Sequence, residues 1–285
     1  MEIAVRDRVY GVDFSGAKDA GKRIWIASGA PVKGTLQIQS CRPAENLPGS
    51  SGERDHSLWA LRRLIIAETR AAFGLDFPFG LPEALVAHEH WESFVLAFPQ
   101  DYPSPKAFRE RCCKAAQGKE LRRLTDWVAQ TPFSPYNIRL YRQTFYGIRD
   151  LLHPLVEKGQ ARVLPMQEPA EDRPWLLEIC PASTLKRKGL YMPYKGNRDR
   201  HRSARRQILG ALERSRIAIE EPALRSTIVQ DSGGDALDSV IAALATFEAL
   251  SSAQPPVLED HRTYALEGYV YVTNADQQRS MWNST

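Results

Sequence analysis

Cysteine is scarce. The chain has four, Cys41, Cys112, Cys113 and Cys180, and no two stand as Cys-x-x-Cys. That spacing gives no sign of a zinc ribbon or a thioredoxin-like redox motif. A bridge between the adjacent Cys112 and Cys113 would be strained, so free thiols in a reducing compartment are expected. Long apolar runs are lacking too: none approaches the roughly 20 residues of a membrane-spanning helix. The opening residues, MEIAVRDRVY, carry charges where a secretory leader has its apolar core. A soluble cytoplasmic protein with no membrane partner is the expectation. There is no internal repeat, no low-complexity tract and no Gly-x-Ser-x-Gly elbow. Nor does one sign of charge dominate. The net charge is +4, a mild basicity that is compatible with nucleic acid without demanding it.

What is present is ordinary globular composition, 285 residues and 43% hydrophobic, ample for a large core. VYGVDF (9–14), RIWIAS (23–28) and TLQIQS (35–40) are short apolar runs punctuated by Gly and Pro, and are expected to be strands in an antiparallel meander. Residues 43–56 are rich in Pro, Gly and Ser and predict a loop. Helical spacing predicts a helix over residues 58–73. AFGLD (72–76) reads as a buried strand stopped by Pro78. Residues 81–158 are helical in pattern with several prolines, which predicts an insertion within one domain spanning 1–285. Residues 161–165 and 175–180 are strand candidates, and 200–214 a basic helix. DALDSVIAALATFEAL (235–250) is the strongest helix, with start signals in Asp231 to Gly234. Residues 264–272 predict a late hairpin or edge strand. Strands, helix, strand, helical insert, strand and late helix make an α/β layered sheet of mixed strand direction.

Acidic residues fall at the ends of these elements. Asp13 and Asp76 end strands, Glu178 lies inside WLLEIC, and Asp235 and Asp238 share one face at the start of the last helix. A carboxylate in an apolar strand is costly unless neutralised, and converging carboxylates raise one another's pKa. A divalent cation resolves both problems, and oxygen ligands suit Mg2+ or Mn2+. Each residue also has a plain structural role open to it. Asp13 and Asp76 can sit in turns, Asp235 can favour the helix dipole, and Glu178 can pair with an arginine.

Four blocks, GVDFSGAKDAGKRIWIA, LDFPFGLP, LEICPAST and GGDALDSVIAAL, resemble those of the domain-of-unknown-function 429 family, across residues 11 to about 247. The resemblance implies a ribonuclease-H-like fold. In it Asp13 matches the first-strand aspartate that bridges metals, Asp76 the acid after the fourth strand, and Asp235 and Asp238 the acids of the final helix. Glu178 and Pro181 match a Glu-x-x-Pro block. Phe14-Ser15 departs from the smaller or glycine-rich residues of many relatives. The implied activity is a divalent-metal-dependent nuclease. Its catalytic residues would be Asp13, Asp76, Glu178, Asp235 and Asp238, with all but Glu178 as metal ligands.

Other motifs compete. Gly16 to Arg23 approximates a Walker A loop, but Arg23 lacks the hydroxyl that holds Mg2+, and RIWIAS reads as a strand where a helix is required. GVDFSGAK also suits the phosphate hairpin of an actin-like ATPase or phosphotransferase, with Ser15, Gly16 and Lys18 donating. A non-catalytic ribonuclease-H-like binding protein is a third possibility. His88 and His90, alternate residues of an expected helix, point in different directions and do not share an ion. Residues 186–206 are densely basic with interleaved aromatics, and predict either a nucleic-acid surface or a solvated face. Candidate phosphate contacts are Lys18, Lys186, Arg187, Lys188, Lys195, Arg198, Arg202 and Arg205. Residues 136–149 carry the same pair of alternatives.

Overall fold

A two-residue turn sets the start of the sheet. Lys33 and Gly34 both take positive φ, 49° and 79°, which matches the right-handed twist of a tight hairpin. The turn joins β2 (Trp25–Val32) to β3 (Thr35–Pro43), with Val32 opposite Thr35. In the computed structural model, which describes residues 6–251 and 262–272, β1 (Arg8–Asp13) pairs antiparallel with β2. The short α1 (Ala20–Arg23) lies between them. From β3 the chain enters α2 (Arg54–Ala67) and crosses to β4 (Ala71–Asp76), parallel to β1. Such a crossover is what a parallel neighbour requires.

The expected insertion contains α3 (Trp91–Asp101), α4 (Pro105–Ala115), α5 (Leu124–Ala129), α6 (Tyr141–Tyr146) and α7 (His153–Glu157), with a π-helical stretch over Gly147–Leu152. β5 (Arg162–Leu164) and β6 (Trp175–Ile179) extend the sheet in parallel. There follow α8 (Pro181–Arg187), α9 (Asp199–Glu213), β7 (Ile217–Ala218), α10 (Pro222–Gln230), α11 (Asp235–Ser251), α12 (Arg262–Glu267) and β8 (Val270–Tyr271). The sheet has eight strands in the order β5-β6-β4-β1-β2-β3-β7, with β8 beside β6. It is an α/β fold with a mixed sheet flanked by helices, as the sequence pattern predicts.

Three expectations need correction. The helix expected over 58–73 begins earlier and stops at Ala67, because Ala71 to Phe73 are taken into β4. Of the two alternatives for the tail, the strand forms and the hairpin does not: α12 is helical, and β8 adds parallel to β6 at Glu178 and Ile179. Its Val270 N–H is drawn in by the Thr125 hydroxyl at 2.8 Å. His88 to His90 form a bend before α3, and His88 pairs with Asp101 at 2.9 Å. Among the described residues no helix is long and apolar enough to cross a membrane.

The period of two in a strand decides which side each residue serves. Tyr10, Val12, Phe73, Leu75 and Leu176 join the core under the inserted helices. Val9 and Ala27, and likewise Ala72, Leu177 and Ile179, face the side covered by α11. Two glycines let that helix come close. A β-carbon on Gly11 would fall on the backbone of Ser239 and Ala243, and one on Gly74 would strike Thr246. The facing side of α11 is small-residue sequence, including Ala236, Ser239, Ala242, Ala243 and Thr246, all buried. Its backbone therefore lies directly on β1 and β4, and its first turn is brought over the ends of those strands.

Candidate metal centre

Asp13 and Asp76 each lie two residues beyond one of these glycines, and so on the same face of the sheet. They are direct register partners on neighbouring parallel strands, whose backbones run about 4.8 Å apart. From α11, Asp238 comes to them through the close approach at Gly11, and Asp235 stands one turn earlier. Asp231 fixes the helix start: its carboxylate accepts from Ala236 N at 2.9 Å and Gly233 N at 3.2 Å. Asp13 is 8% and Asp238 3% exposed. Burial, then the neighbouring negative charges, drives Asp13 well above the usual carboxylate range. The same causes push Asp76 up to about 8. Asp235 and Asp238 are also raised, first by burial, with Lys195 pulling the other way.

Sequence reasoning placed Lys195 on a phosphate-binding strip. Its ammonium instead meets Asp238 Oδ2 at 2.6 Å and Asp235 Oδ1 at 3.5 Å. Burial works against the ammonium charge, but Asp238 and Asp13 more than offset it and raise the pKa. Tyr194, not singled out from the sequence, donates its hydroxyl to the other oxygen of Asp238 at 2.5 Å. The backbone that presents both residues is held from behind: the buried Arg205 guanidinium donates to the carbonyls of Tyr194 (2.6 Å), Gly196 (3.0 Å) and Val229 (2.8 Å). Arg205 is thus a structural clamp and not a phosphate contact.

Glu178 does not join this group. On β6, Trp175, Leu177 and Ile179 face the α11 side, and Glu178, level with Leu75, faces the other. There it meets Arg123, with Nη2 at 2.5 Å from Oε1 and Nη1 at 2.9 Å from Oε2. The same guanidinium grips Asp126 at 2.8 and 3.0 Å. Phe79 N donates to Glu178 at 2.9 Å and the Thr131 hydroxyl to Asp126 at 3.0 Å. Glu178 is raised by burial, which Arg123 opposes. Its expected catalytic role is replaced by the arginine pairing that the sequence also allowed.

The basic stretch is largely spent on the protein itself. Lys186 donates to Gln130 O (2.8 Å), Arg187 to Val128 O (2.7 Å), and Lys188 pairs with Glu248 at 2.6 Å. Arg202 pairs with Asp199 at 2.5 Å. Arg198, just before α9, and Lys18, after β1, are exposed. The loop carrying Lys18 is not an open phosphate hairpin, since a β-carbon on Gly16 would fall on the backbone of Arg142 and Gln143.

A cleft of about 530 Å³ lies between the strand ends, residues 131–143 and residues 191–195, and Arg123, Asp126 and Glu178 also border it. Asp76 and Asp238 lie on its wall, and Arg139 and Tyr191 at its exposed rim. Gln143 donates to the Asp76 carbonyl and ties α6 to the strand end. The donor chemistry suits Mg2+ or Mn2+: four carboxylates whose mutual repulsion calls for a cation. Among the described residues, however, no three His, Cys, Asp or Glu are arranged to hold an ion as they stand, and the Lys195 ammonium provides the countercharge. The missed signal was a repeated Gly-x-Asp, Gly11-Val12-Asp13 and Gly74-Leu75-Asp76, each glycine on the same face as its aspartate. No family model, curated protein or solved structure matches the chain.

Proposed function

We propose that the chain is a divalent-metal-dependent phosphodiesterase acting on nucleic acid, with a ribonuclease-H-like fold. The observation that carries this reading is the register pairing of Asp13 with Asp76 beneath Asp238, with Asp76 and Asp238 at the wall of an open cleft. The strand order β3-β2-β1-β4-β6, antiparallel and then parallel with an acid on the central β1, supports the same fold reading. Asp13, Asp76 and Asp238 would hold Mg2+ or Mn2+, with Asp235 at the rim. A metal bound there supplies activation of water and relief of charge on the phosphate. The protein's own share is to bury the carboxylates, keep bulk water from them and orient the substrate. Exposed Arg139 offers a charge for a backbone phosphate, and Tyr191, 57% exposed, a face on which a base can stack.

The test is cleavage of labelled single-stranded DNA, duplex DNA, branched DNA and RNA with Mn2+. The wild-type chain is expected to cut at least one of these, and Asp13→Asn and Asp238→Asn none. Equal cleavage by the variants, or none by the wild type on any substrate, would overturn the assignment.

A further inference from the structure

We infer that Lys195 is an internal cation that competes with a divalent metal for the Asp13, Asp76, Asp235 and Asp238 group, so that metal binding must displace its side chain into the cleft. The inference rests on the metal-site reading of the same carboxylates.

The geometry separates the anchored part of Lys195 from the part that can move. Arg205 fixes the main chain on either side, at Tyr194 O and Gly196 O. The Lys195 side chain is 52% exposed, with its stem beside Gly234 and its ammonium among the carboxylates. Swinging the side chain toward the cleft rotates only side-chain bonds and leaves the clamped main chain in place. The ammonium, by contrast, stands among the oxygens. It lies 2.6 Å from Asp238, whose second oxygen is already taken by Tyr194, and 3.5 Å from Asp235. A divalent ion drawing on Asp238 would place two positive charges against the ammonium at contact distance, where like-charge repulsion is strong.

Asp13 shows the deficit that remains. Its carboxylate is more than nine-tenths buried on the side facing α11, yet among the described residues it accepts no hydrogen bond and has no ion-pair partner within 4 Å. One ammonium reaching Asp238 and Asp235 does not satisfy it. A buried carboxylate without a partner is costly, and a small cation seated against Asp13 would relieve that cost. Lys195 therefore serves as a partial substitute. It balances enough charge for the metal-free chain to fold, and leaves the unpartnered carboxylate of Asp13 for the metal. Once displaced, the ammonium lies in the cleft lined by Tyr191 and Arg139, on the side from which an anionic substrate enters.

The test compares wild type, Lys195→Met and Lys195→Arg, with Mn2+ affinity read by titration calorimetry and melting temperature read with and without Mn2+. Competition predicts that Lys195→Met binds Mn2+ about tenfold or more tightly than wild type, since the competing charge is gone. Its metal-free form should melt lower, and Mn2+ should raise its melting temperature by more than that of wild type. Lys195→Arg keeps the charge and should stay close to wild type in Mn2+ affinity. A purely structural lysine predicts the opposite sign, with weaker or unchanged Mn2+ binding in Lys195→Met, and that result overturns the inference. If wild type fails to bind Mn2+ while Lys195→Met binds it, the competition stands and the metal-dependent reading of the natural chain falls. If neither binds, both fall.

Discussion

Two acidic groups sit back to back across one sheet and are neutralised in contrasting ways. On the side of the inserted helices, Glu178 and Asp126 share the guanidinium of Arg123, and both Arg123 and Asp126 are 1% exposed. Backbone and hydroxyl donors fill the remaining oxygens. On the α11 side, Asp13, Asp76, Asp235 and Asp238 face one half-exposed lysine and one tyrosine. The first group is closed: a planar fork with five donors matches two carboxylates. The second is short of positive charge, although members of both groups line the same cleft. Identical side-chain chemistry thus yields a strut on one face and a candidate reactive site on the other, and the difference lies in the cation supplied.

Removing each cation in turn sharpens the contrast. Arg123→Met leaves two buried carboxylates without a countercharge, and is expected to cost about 3 to 5 kcal/mol. A denaturant titration checks this, and added Mn2+ should not restore the loss. Full rescue by Mn2+, or a cost below about 1 kcal/mol, would place Arg123 in a solvated and replaceable role.

A smaller effect is expected from pH. Asp76 titrates at about 8 in the fold and near 4 when unfolded. Between these values the folded chain holds a proton that the unfolded chain has released, so metal-free stability should fall as pH rises from about 4 to 8. Asp76→Asn should flatten that slope. Melting curves at several pH values with a metal chelator present check the sign. A stability that rises across this range in wild type and is unchanged by Asp76→Asn would refute the assignment of a raised carboxylate.

Much of the α11-side group was legible in the sequence. An aspartate at the end of each of two apolar strands and a pair three apart at a helix start are local signals, and they fall where the fold brings them together. The place of Glu178 was not legible. Alternation along WLLEI separates Leu176 and Glu178 from their neighbours, but which set faces α11 depends on the register of β6 against β4, with Leu75 level with Glu178. A one-residue change in that register would reverse the outcome. Lys195 was hidden for another reason. Its neighbours Lys186, Arg187 and Lys188 look alike in sequence, and only the grip of Arg205 on the Tyr194 and Gly196 carbonyls singles it out. Arg205 itself counted as one more surface charge, although the buried Ala204, Ile208 and Leu209 beside it on α9 place its side chain inside.

The most direct test of the α11-side group as a metal site is the melting temperature of the wild type and Asp13→Asn, each with and without Mn2+. The substitution keeps the size of the side chain and removes one of several repelling charges. Without metal, the variant should melt at the same temperature as wild type or higher. Mn2+ bound only to the folded chain should raise the wild-type melting temperature, and the variant should lose most of that rise. A variant that is destabilised without metal and keeps the full response to Mn2+ would make Asp13 a structural residue and contradict the account.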